Sequence, residues 1–382
     1  MTESEPTHDA RNIARIFSEV PDCRVVGRCR HRLGDILTIA LCTTLCGSSE
    51  FTEMEAWGQL NEPWLRKFLE LPNGIPSHDT FLAVFSALDP AHFLDAFLTW
   101  VGGVRERSGG GVVAVDGKAC RGTKGSPGEM LTMVGAFASA QGISLGQLQV
   151  EGKSNEITAV PRLLEVLDIS GCTVTADAMA CQKEIVAKCI AKGADYTIAL
   201  KGNQGTLLSY VSTYLDGLID AGFEPGHTSE DRRRGRVERR RCWAFGDDLG
   251  DWLEGHAGWA GLRSVVAVEL EREEKGVTTT ERRYFITSLA PDAGRLAEVV
   301  RAHWSIENSL HWVLDVVFGE DASRARTGNA AANLSTTRRL AQNLIKVTDP
   351  GRYKKWTLKK RRLAASQDRS YLATLLGINF DA

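Results

Sequence analysis

The chain has 382 residues, of which 43% are hydrophobic and 25% are charged, and its formal net charge is −2. This length suggests two or three domains, and the composition is that of an ordinary globular protein rather than a disordered chain. The longest apolar run, residues 36–46, is too short to cross a bilayer, and residues 1–11 do not resemble a secretory signal. We therefore expect a soluble, cytoplasmic protein with no membrane partner.

The nine cysteines are scattered and contain no CxxC pair, so neither a zinc ribbon nor a disulfide framework is indicated. Positive charge is concentrated in two runs, although the net charge is close to zero. Residues 231–241 contain seven arginines, and residues 352–362 contain seven lysines or arginines. Such runs are usually solvated surface, but two of them together permit a phosphate-binding surface.

The first hundred residues are predicted to be helical. Apolar residues recur at helical spacing over residues 33–41 and again over residues 64–69. Ser77 follows a proline-containing turn and is placed to cap a further helix. Glycine-rich residues 108–111 then mark a boundary. We predict a helical N-terminal domain that covers residues 1–105.

From residue 112 the pattern becomes that of an α/β domain. An apolar strand at 112–115 ends at Asp116, and the elements predicted after it are strands at 131–139, 143–150, 172–175 and 196–200 with helices at 156–167 and 182–192. Three antiparallel strands followed by strand–helix–strand crossovers can form one mixed sheet with the fourth strand beside the first. The order therefore predicts a ribonuclease H-like sheet with flanking helices.

The second half of the chain is predicted to interrupt this core and then complete it. After a helix at 207–219, strands are predicted at 241–245, 264–270 and 278–287, followed by a long helix from residue 294 and another at 333–346. We assign the core to residues 106–215 and 290–346, a β-rich insertion to residues 216–289, and a basic helical tail to residues 347–382.

Three carboxylates are candidates for a metal site at one edge of this sheet. Asp116 and Asp177 each follow an apolar strand, and the two strands are predicted to be neighbours. Glu307 lies in a helix among apolar residues, where a carboxylate needs a partner or a metal. Hard oxygen ligands that leave room for water and phosphate suit Mg²⁺.

Each candidate also has a structural alternative. Asp116 precedes a glycine and could form a turn, Asp177 could cap a helix, and most helical glutamates face solvent. Three rival acids follow Glu307 in the same segment, namely Asp315, Glu320 and Asp321. Glu156 could be the first residue of a helix or a further ligand.

His303, Glu307 and His311 share a helix face at spacing i, i+4 and i+8, which permits a zinc site. No HExxH motif is present, and the two histidines could instead contact DNA phosphates or pack in the core. Lys201, Asn203 and Gln204 follow a predicted strand and supply a cation and two amides. They could contact phosphates or bases, or form an ordinary loop.

Six segments, in this order, resemble insertion-sequence transposases of the H-repeat-associated subgroup: IPSHDTF (75–81), VAVDGKACRG (113–122), EGKSNEI (151–157), TADAMACQK (175–183), DYTIALKGNQ (195–204) and HWSIENSLHWVLDVVFGED (303–321). The resemblance covers nearly the whole chain. It implies a ribonuclease H-like core with a β-rich insertion before the last acidic residue. It also implies that Asp116, Asp177 and Glu307 form a DDE catalytic triad that binds Mg²⁺, for which Mn²⁺ can substitute.

The chain departs from related transposases around the last acid. Those proteins often carry Tyr, Arg and Lys at set distances from the glutamate, whereas Val300, His303 and Leu314 stand at these positions here. The subgroup could use its own version of the pattern, with His303 and His311 as DNA contacts.

The resemblance implies a transposase that cuts the ends of a mobile element and joins them to target DNA. Two Mg²⁺ ions would activate first water and then the freed 3′-hydroxyl, without a covalent protein–DNA intermediate. We expect double-stranded DNA and a second copy of the chain as partners, with nucleoid association during activity. The DNA contacts expected are Lys118, Lys201, Asn203, Gln204, Arg234, Arg236, His303, His311, Lys359 and Lys360. The alternatives are an inactive transposase-derived DNA-binding protein and a non-mobile nuclease on the same fold.

Overall fold

The computed structural model describes residues 12–25, 27, 29–104, 111–124, 130–150, 156–233, 235–246 and 258–380. Arg234 and most of the EGKSNEI segment, which were singled out above, lie outside the described residues. Most of the glycine-rich boundary at 108–111 also lies outside them.

The N-terminal region is helical, as predicted, and its described residues form five α-helices: α1 (Ile13–Ser18), α2 (Leu33–Cys46), α3 (Phe51–Leu65), α4 (His78–Ala87) and α5 (Pro90–Val104). The side chain of Ser77 accepts a hydrogen bond from the backbone N–H of Thr80, which confirms the predicted cap of α4. Helix α2 is buried on nearly all sides. It is therefore the central helix of this region rather than an amphipathic surface helix.

In the part of the chain that the structure describes, nine strands form one mixed sheet: β1 (Val112–Ala119), β2 (Thr132–Ala138), β3 (Ile143–Val150), β4 (Thr173–Ala176), β5 (Asp195–Leu200), β6 (His227–Arg233), β7 (Arg236–Phe245), β8 (Ser264–Glu274) and β9 (Val277–Thr287). Their spatial order is β3-β2-β1-β4-β5-β9-β8-β7-β6. Strands β1, β4 and β5 are parallel, and β2 and β3 run antiparallel beside β1. This confirms the predicted ribonuclease H-like sheet, with the fourth strand beside the first.

The region predicted as a β-rich insertion continues the same sheet, because β9 pairs with β5. It contains four described strands rather than the three predicted. The sequence analysis missed β6 and the first half of β7 because they are polar and rich in arginine. These segments are nevertheless paired residue by residue, from Arg233 opposite Arg236 to His227 opposite Cys242. Opposite charges on facing strands make such polar strands stable.

Within the described residues, eight α-helices flank or follow the sheet: α6 (Glu156–Val166), α7 (Lys183–Ala191), α8 (Gly205–Asp220), α9 (Ala293–His303), α10 (Trp312–Val316), α11 (Ala330–Val347), α12 (Leu358–Gln367) and α13 (Arg369–Leu375). The long helix predicted from residue 294 is not a regular α-helix. A π-helical turn at Glu307–His311 separates α9 from α10, and the Trp312 N–H donates to the carbonyl of Glu307, five residues earlier. Such turns are rare and often occur at functional sites.

Helix α11 connects the helical region to the sheet. Fifteen of its 18 residues are buried, so its polar side chains need partners within the protein. Asn333 donates to two carbonyls at the end of α4, Asn343 exchanges two hydrogen bonds with Ser144 in β3, and Gln342 donates to the carbonyl of Ser309. The same helix therefore holds α4, β3 and the π-helical turn together.

None of the helices in the described residues is both long and apolar enough to cross a membrane on its own. Only α4 and α5 taken together, with a bend of 91° between them, pass that test by length and composition.

Candidate active site

Asp116 and Asp177 lie side by side because β1 and β4 are parallel and in register, with Val115 opposite Ala176. The prediction that the first strand ends at Asp116 was wrong, since β1 continues to Ala119 and Asp116 pairs with Gly135 of β2. Asp116 is therefore not a turn residue, and its backbone is held within the sheet. Its Oδ1 accepts a hydrogen bond of 2.9 Å from the Gly117 N–H.

Asp177 combines the two functions that the sequence left open. It follows the last residue of β4, and its Oδ1 accepts a hydrogen bond of 3.0 Å from the Met179 N–H at the start of a short 3₁₀ turn. This hydrogen bond fixes the carboxylate in place through one of its two oxygens. Asp177 therefore caps a turn and also faces the same cleft as Asp116.

The π-helical turn brings Glu307 to Asp116. One ligand atom from each of Asp116, Glu307 and His311 lies within 4.8 Å of the others. The pKa of Asp116 is raised to about 7, first by burial and then by the negative charge of Glu307, with a smaller effect from Asp177. So high a pKa means that the charged form of the carboxyl group is destabilised. A bound cation would stabilise that charged form.

Glu156, the first residue of α6, is a fourth carboxylate in this cluster. It lines the same cleft as Asp116 and Asp177, and burial, followed by the charge of Asp177, raises its pKa. A Cβ at Gly117 would lie 2.9 Å from the Glu156 Oε1, so a larger residue there would displace this carboxylate. Glycine at position 117 leaves the space that Glu156 occupies.

The donor set fits a divalent cation. Among the described residues, no lysine or arginine forms an ion pair with Asp116, Glu156, Asp177 or Glu307. Four carboxylates without a basic partner repel one another unless protons or metal ions intervene. Oxygen ligands of this kind are those that Mg²⁺ and Mn²⁺ prefer.

Comparison with known proteins identifies the family. Residues 107–344 match the family described as Transposase DDE domain, and residues 14–101 match the family described as DDE_Tnp_1-associated. The chain belongs to the DDE transposase family. It is 38% identical to "Putative transposase YncI" of Escherichia coli O157:H7, over 86% of each chain.

The resemblance to the H-repeat-associated subgroup is confirmed. The protein is 33% identical to "H repeat-associated putative transposase YhhI" of Escherichia coli K12, over 96% of this chain and 98% of that one. Among solved structures, the cryo-EM structure of the piggyBac transposase synaptic complex with hairpin DNA matches with a TM-score of 0.44 and 9% identity, over 98% of this chain and 79% of that chain.

In this DDE family member, the three other acids that were candidates in place of Glu307 form ion pairs with a lysine. Asp315, Glu320 and Asp321 surround Lys118, whose Nζ lies 2.7, 3.5 and 3.4 Å from their respective carboxylate oxygens. Glu320 also pairs with the buried Arg339 at 3.3 Å. These three acids are therefore committed to an internal ion-pair network, which leaves Glu307 as the acid of this segment that faces Asp116.

The position of Lys118 contradicts the expectation that it contacts DNA. Its side chain is only 6% exposed. Burial lowers its pKa, but the charges of Glu320, Asp315 and Asp321 outweigh that effect and raise it. A lysine that is buried among three carboxylates cannot reach a DNA phosphate.

The side-chain amides of Asn203 and Gln204 form hydrogen bonds within the protein. The Asn203 Nδ2 donates a hydrogen bond of 2.6 Å to the carbonyl of Ala178, and the Gln204 Nε2 donates one of 2.9 Å to the carbonyl of Cys181. Both bonds fasten the turn that follows Asp177. Their amide groups are therefore better placed to hold Asp177 than to contact DNA, whereas Lys201 is exposed at the end of β5.

His303 and His311 also point into the protein. The His303 Nδ1 lies 3.1 Å from the hydroxyl oxygen of Thr175 in β4, and His311 is only 5% exposed. Burial lowers the pKa of both, that of His311 to about 3. His311 is too deeply buried to pair with a phosphate on the surface, whereas His303 is only partly buried and its contact with DNA stays a prediction.

The arginine run at 231–241 is mostly neutralised by acids of the same strand or of a neighbouring one. Five of its six described arginines form ion pairs, which join Arg232 to Glu230, Arg236 to Glu238, Arg239 to Glu271, Arg240 to Asp231 and Arg241 to Glu269. Arg236 is paired with Glu238 within the sheet, and its contact with DNA stays a prediction. The pairing is not evident from the sequence, because it depends on which strands become neighbours in the sheet.

The second basic run is different. Lys354, Lys355, Lys359 and Lys360 are exposed, and none of them forms an ion pair with another described residue. The arginines of this run are occupied, since Arg352 pairs with Asp368 and the buried Arg362 donates to the carbonyl of Thr44. The lysines alone leave a positive surface at the start of α12.

Proposed function

We propose that this protein is a DNA transposase that cuts insertion-sequence ends and joins them to target DNA. Asp116, Asp177 and Glu307 hold the divalent ions that this chemistry needs, Mg²⁺ by preference and Mn²⁺ as a substitute. One observation carries the proposal. Two adjacent parallel strands hold Asp116 beside Asp177, a π-helical turn brings Glu307 to Asp116, and no lysine or arginine of the described residues is paired to these carboxylates.

The protein residues supply a rigid frame for the reaction. Strand β2 pairs with Asp116, strand β4 pairs with the residue before it, and the Met179 N–H holds Asp177. Glu307 is 53% exposed at the mouth of the cluster, where substrate can reach it. Divalent ions at these oxygens would activate the attacking oxygen and stabilise the leaving one. Such preorganisation is what a metal-dependent site requires.

The proposed chemistry has two steps and needs no protein nucleophile. In the first, water attacks a phosphodiester at the element end, which breaks one bond and releases a 3′-hydroxyl and a 5′-phosphate. In the second, that hydroxyl attacks a phosphodiester of the target, so that one bond forms as another breaks. Because two ends must be joined to one target, we expect two copies of the chain in the active complex.

Features around the cluster support a nucleic-acid substrate. Trp304 and Trp312, on either side of the π-helical turn, are 44% and 56% exposed, and exposed aromatic rings can stack on bases. Arg283 lies over the Trp304 ring at 4.9 Å and adds a positive charge there. The four lysines at the start of α12 add a second positive surface. These groups can bind bases and phosphates together.

The test is strand transfer by the purified protein on labelled DNA that carries the flanking repeats, with Mg²⁺ or Mn²⁺. We expect joined products from the wild type and none from Asp116→Ala, Asp177→Ala or Glu307→Ala. Glu298→Gln removes an exposed carboxylate from α9 and serves as the matched control, which should retain activity.

Other results would replace the proposal. Nicking without joining would indicate a nuclease on the same fold. DNA binding without any metal-dependent product would indicate an inactive transposase derivative. A covalent protein–DNA adduct would contradict the proposed mechanism.

A further inference from the structure

His311 is a buried imidazole that faces the acidic cluster. It is 5% exposed, and its Nδ1 lies 3.5 Å from the Glu307 Oε2 and 3.7 Å from the Asp116 Oδ2. Its Nε2 is buried and has no hydrogen-bond partner among the described residues. Nδ1 is therefore the ring nitrogen that faces the two carboxylates.

We propose that His311 is a nitrogen ligand, through Nδ1, of a divalent ion that Asp116 and Glu307 bind with one oxygen each. This inference rests on the proposed metal-dependent function and assigns one of its metal positions. In an octahedral site with ligand distances of about 2.1 Å, neighbouring ligand atoms lie about 3.0 Å apart and opposite ones about 4.2 Å apart. The observed separations of 3.5 and 3.7 Å fall between these values.

The backbone explains why the two residues converge. Glu307 and His311 are the first and last residues of the π-helical turn. Side chains four residues apart lie on the same side of a helix, and this side faces β1. The Gln342 side chain, from the buried helix α11, donates to the carbonyl of Ser309 in the middle of the turn. The turn is therefore held by a rigid element, as a ligand pair requires.

The His311 ring is buried, and its Nδ1 faces both carboxylates. A neutral imidazole has a free nitrogen lone pair and is the ligand form of histidine.

A nitrogen ligand changes the expected metal preference. Carboxylates and water suit Mg²⁺, Ca²⁺ and Mn²⁺, whereas imidazole favours the later transition metals. The position beside His311 should therefore bind Co²⁺ more tightly than Mg²⁺. Loss of this ligand should weaken Mn²⁺ binding by about tenfold or more, since the loss of even an outer-shell partner has effects of that size.

The test is pulsed electron paramagnetic resonance of Mn²⁺ bound to the full chain without DNA. We expect the wild type to show ¹⁴N modulation from a directly bound imidazole and His311→Gln to lose it. His303→Gln is the matched control, because His303 lies beside Asp177 and makes its contact with Thr175. It should retain the modulation. Mn²⁺ titration of the same proteins gives the change in affinity.

Each other outcome has a distinct meaning. Mn²⁺ that binds without nitrogen modulation, or with modulation that persists in His311→Gln, would overturn the ligand assignment and leave the proposed function intact. If the wild type binds no Mn²⁺ at all, the metal-dependent function itself fails. If His311→Gln does not fold, ¹⁵N labelling of the histidines in wild type and His303→Gln provides the same test. Signals that do not shift with the isotope would then reject a histidine ligand.

Discussion

The ammonium of Lys118 lies 2.7 Å from the carboxylate of Asp315. Lys118 itself is only two residues along β1 from Asp116. Side chains two residues apart in a strand point to the same face of the sheet. Lys118 and Asp116 are thus neighbours with different partners. Lys118 forms ion pairs with Asp315, Glu320 and Asp321, while Asp116 faces Glu307 without a basic partner in the described part of the chain.

Lys118→Met should destabilise the fold. The substitution keeps the length of the side chain but leaves three acids, one of them fully buried, without their shared cation. Breaking a buried ion pair from one side costs about 3–5 kcal/mol of unfolding free energy. Calorimetry should show a clearly lower Tm than in Lys201→Met, which removes an exposed lysine. An unchanged Tm together with weaker DNA binding would restore Lys118 as a DNA contact.

Stability of the metal-free protein should depend on the protonation of Asp116. Its folded pKa of about 7 lies above the ordinary value of 3.8, so the folded state binds this proton more tightly than the unfolded state. The resulting stabilisation is fully present below the ordinary value and is lost as the pH rises through about 7. In EDTA, the wild-type Tm should therefore fall more steeply between about pH 5 and pH 8 than that of Asp116→Asn.

Divalent ions should oppose this loss, because a bound cation replaces the proton. Adding Mn²⁺ at the upper end of the pH range should raise the Tm of the wild type more than that of Asp116→Asn. Parallel pH profiles for the two proteins would mean that the Asp116 carboxyl is not buried beside other charges as the structure has it.

Asn203→Ala should lower strand transfer with little effect on stability. The variant loses the hydrogen bond to the Ala178 carbonyl, which is worth about 1 kcal/mol. Because this bond holds the turn after Asp177, we expect a fall in rate on the order of tenfold or more. Asn73→Ala removes a comparable bond, to the Arg30 carbonyl in the N-terminal region, and should leave the rate unchanged. Equal rates in the two variants would show that the turn needs no such support.

Lys359→Ala combined with Lys360→Ala should weaken DNA binding and flatten its salt dependence. Each phosphate contact contributes about 0.9 to the slope of log K against log salt, so the double variant should lose up to about 2. Arg236→Ala is the control, since this arginine pairs with Glu238. The opposite pattern, a flatter slope for Arg236→Ala only, would locate the DNA surface on β6 and β7 instead.

The sequence alone determined the elements whose stability is local or periodic. The apolar strands at the centre of the sheet and the helices that follow them were predicted because burial leaves a periodic pattern in the chain. The Ser77 cap was predicted because its partner is only three residues away. The order of the strands also predicted that β4 lies beside β1, with Asp116 close to Asp177, and the register of the two strands agrees.

Only the tertiary structure decided which charged residues are free. Lys118 pairs with acids about 200 residues further along the chain, and the arginines of β7 pair with glutamates of β8. In the sequence alone, neither Lys118 nor the arginine run can be distinguished from residues that bind DNA. The π-helical turn that turns His311 toward Asp116 also depends on distant packing, with Gln342 of α11 bonded to its middle residue. Electrostatic pairing acts through space, so it leaves no periodic trace in the sequence.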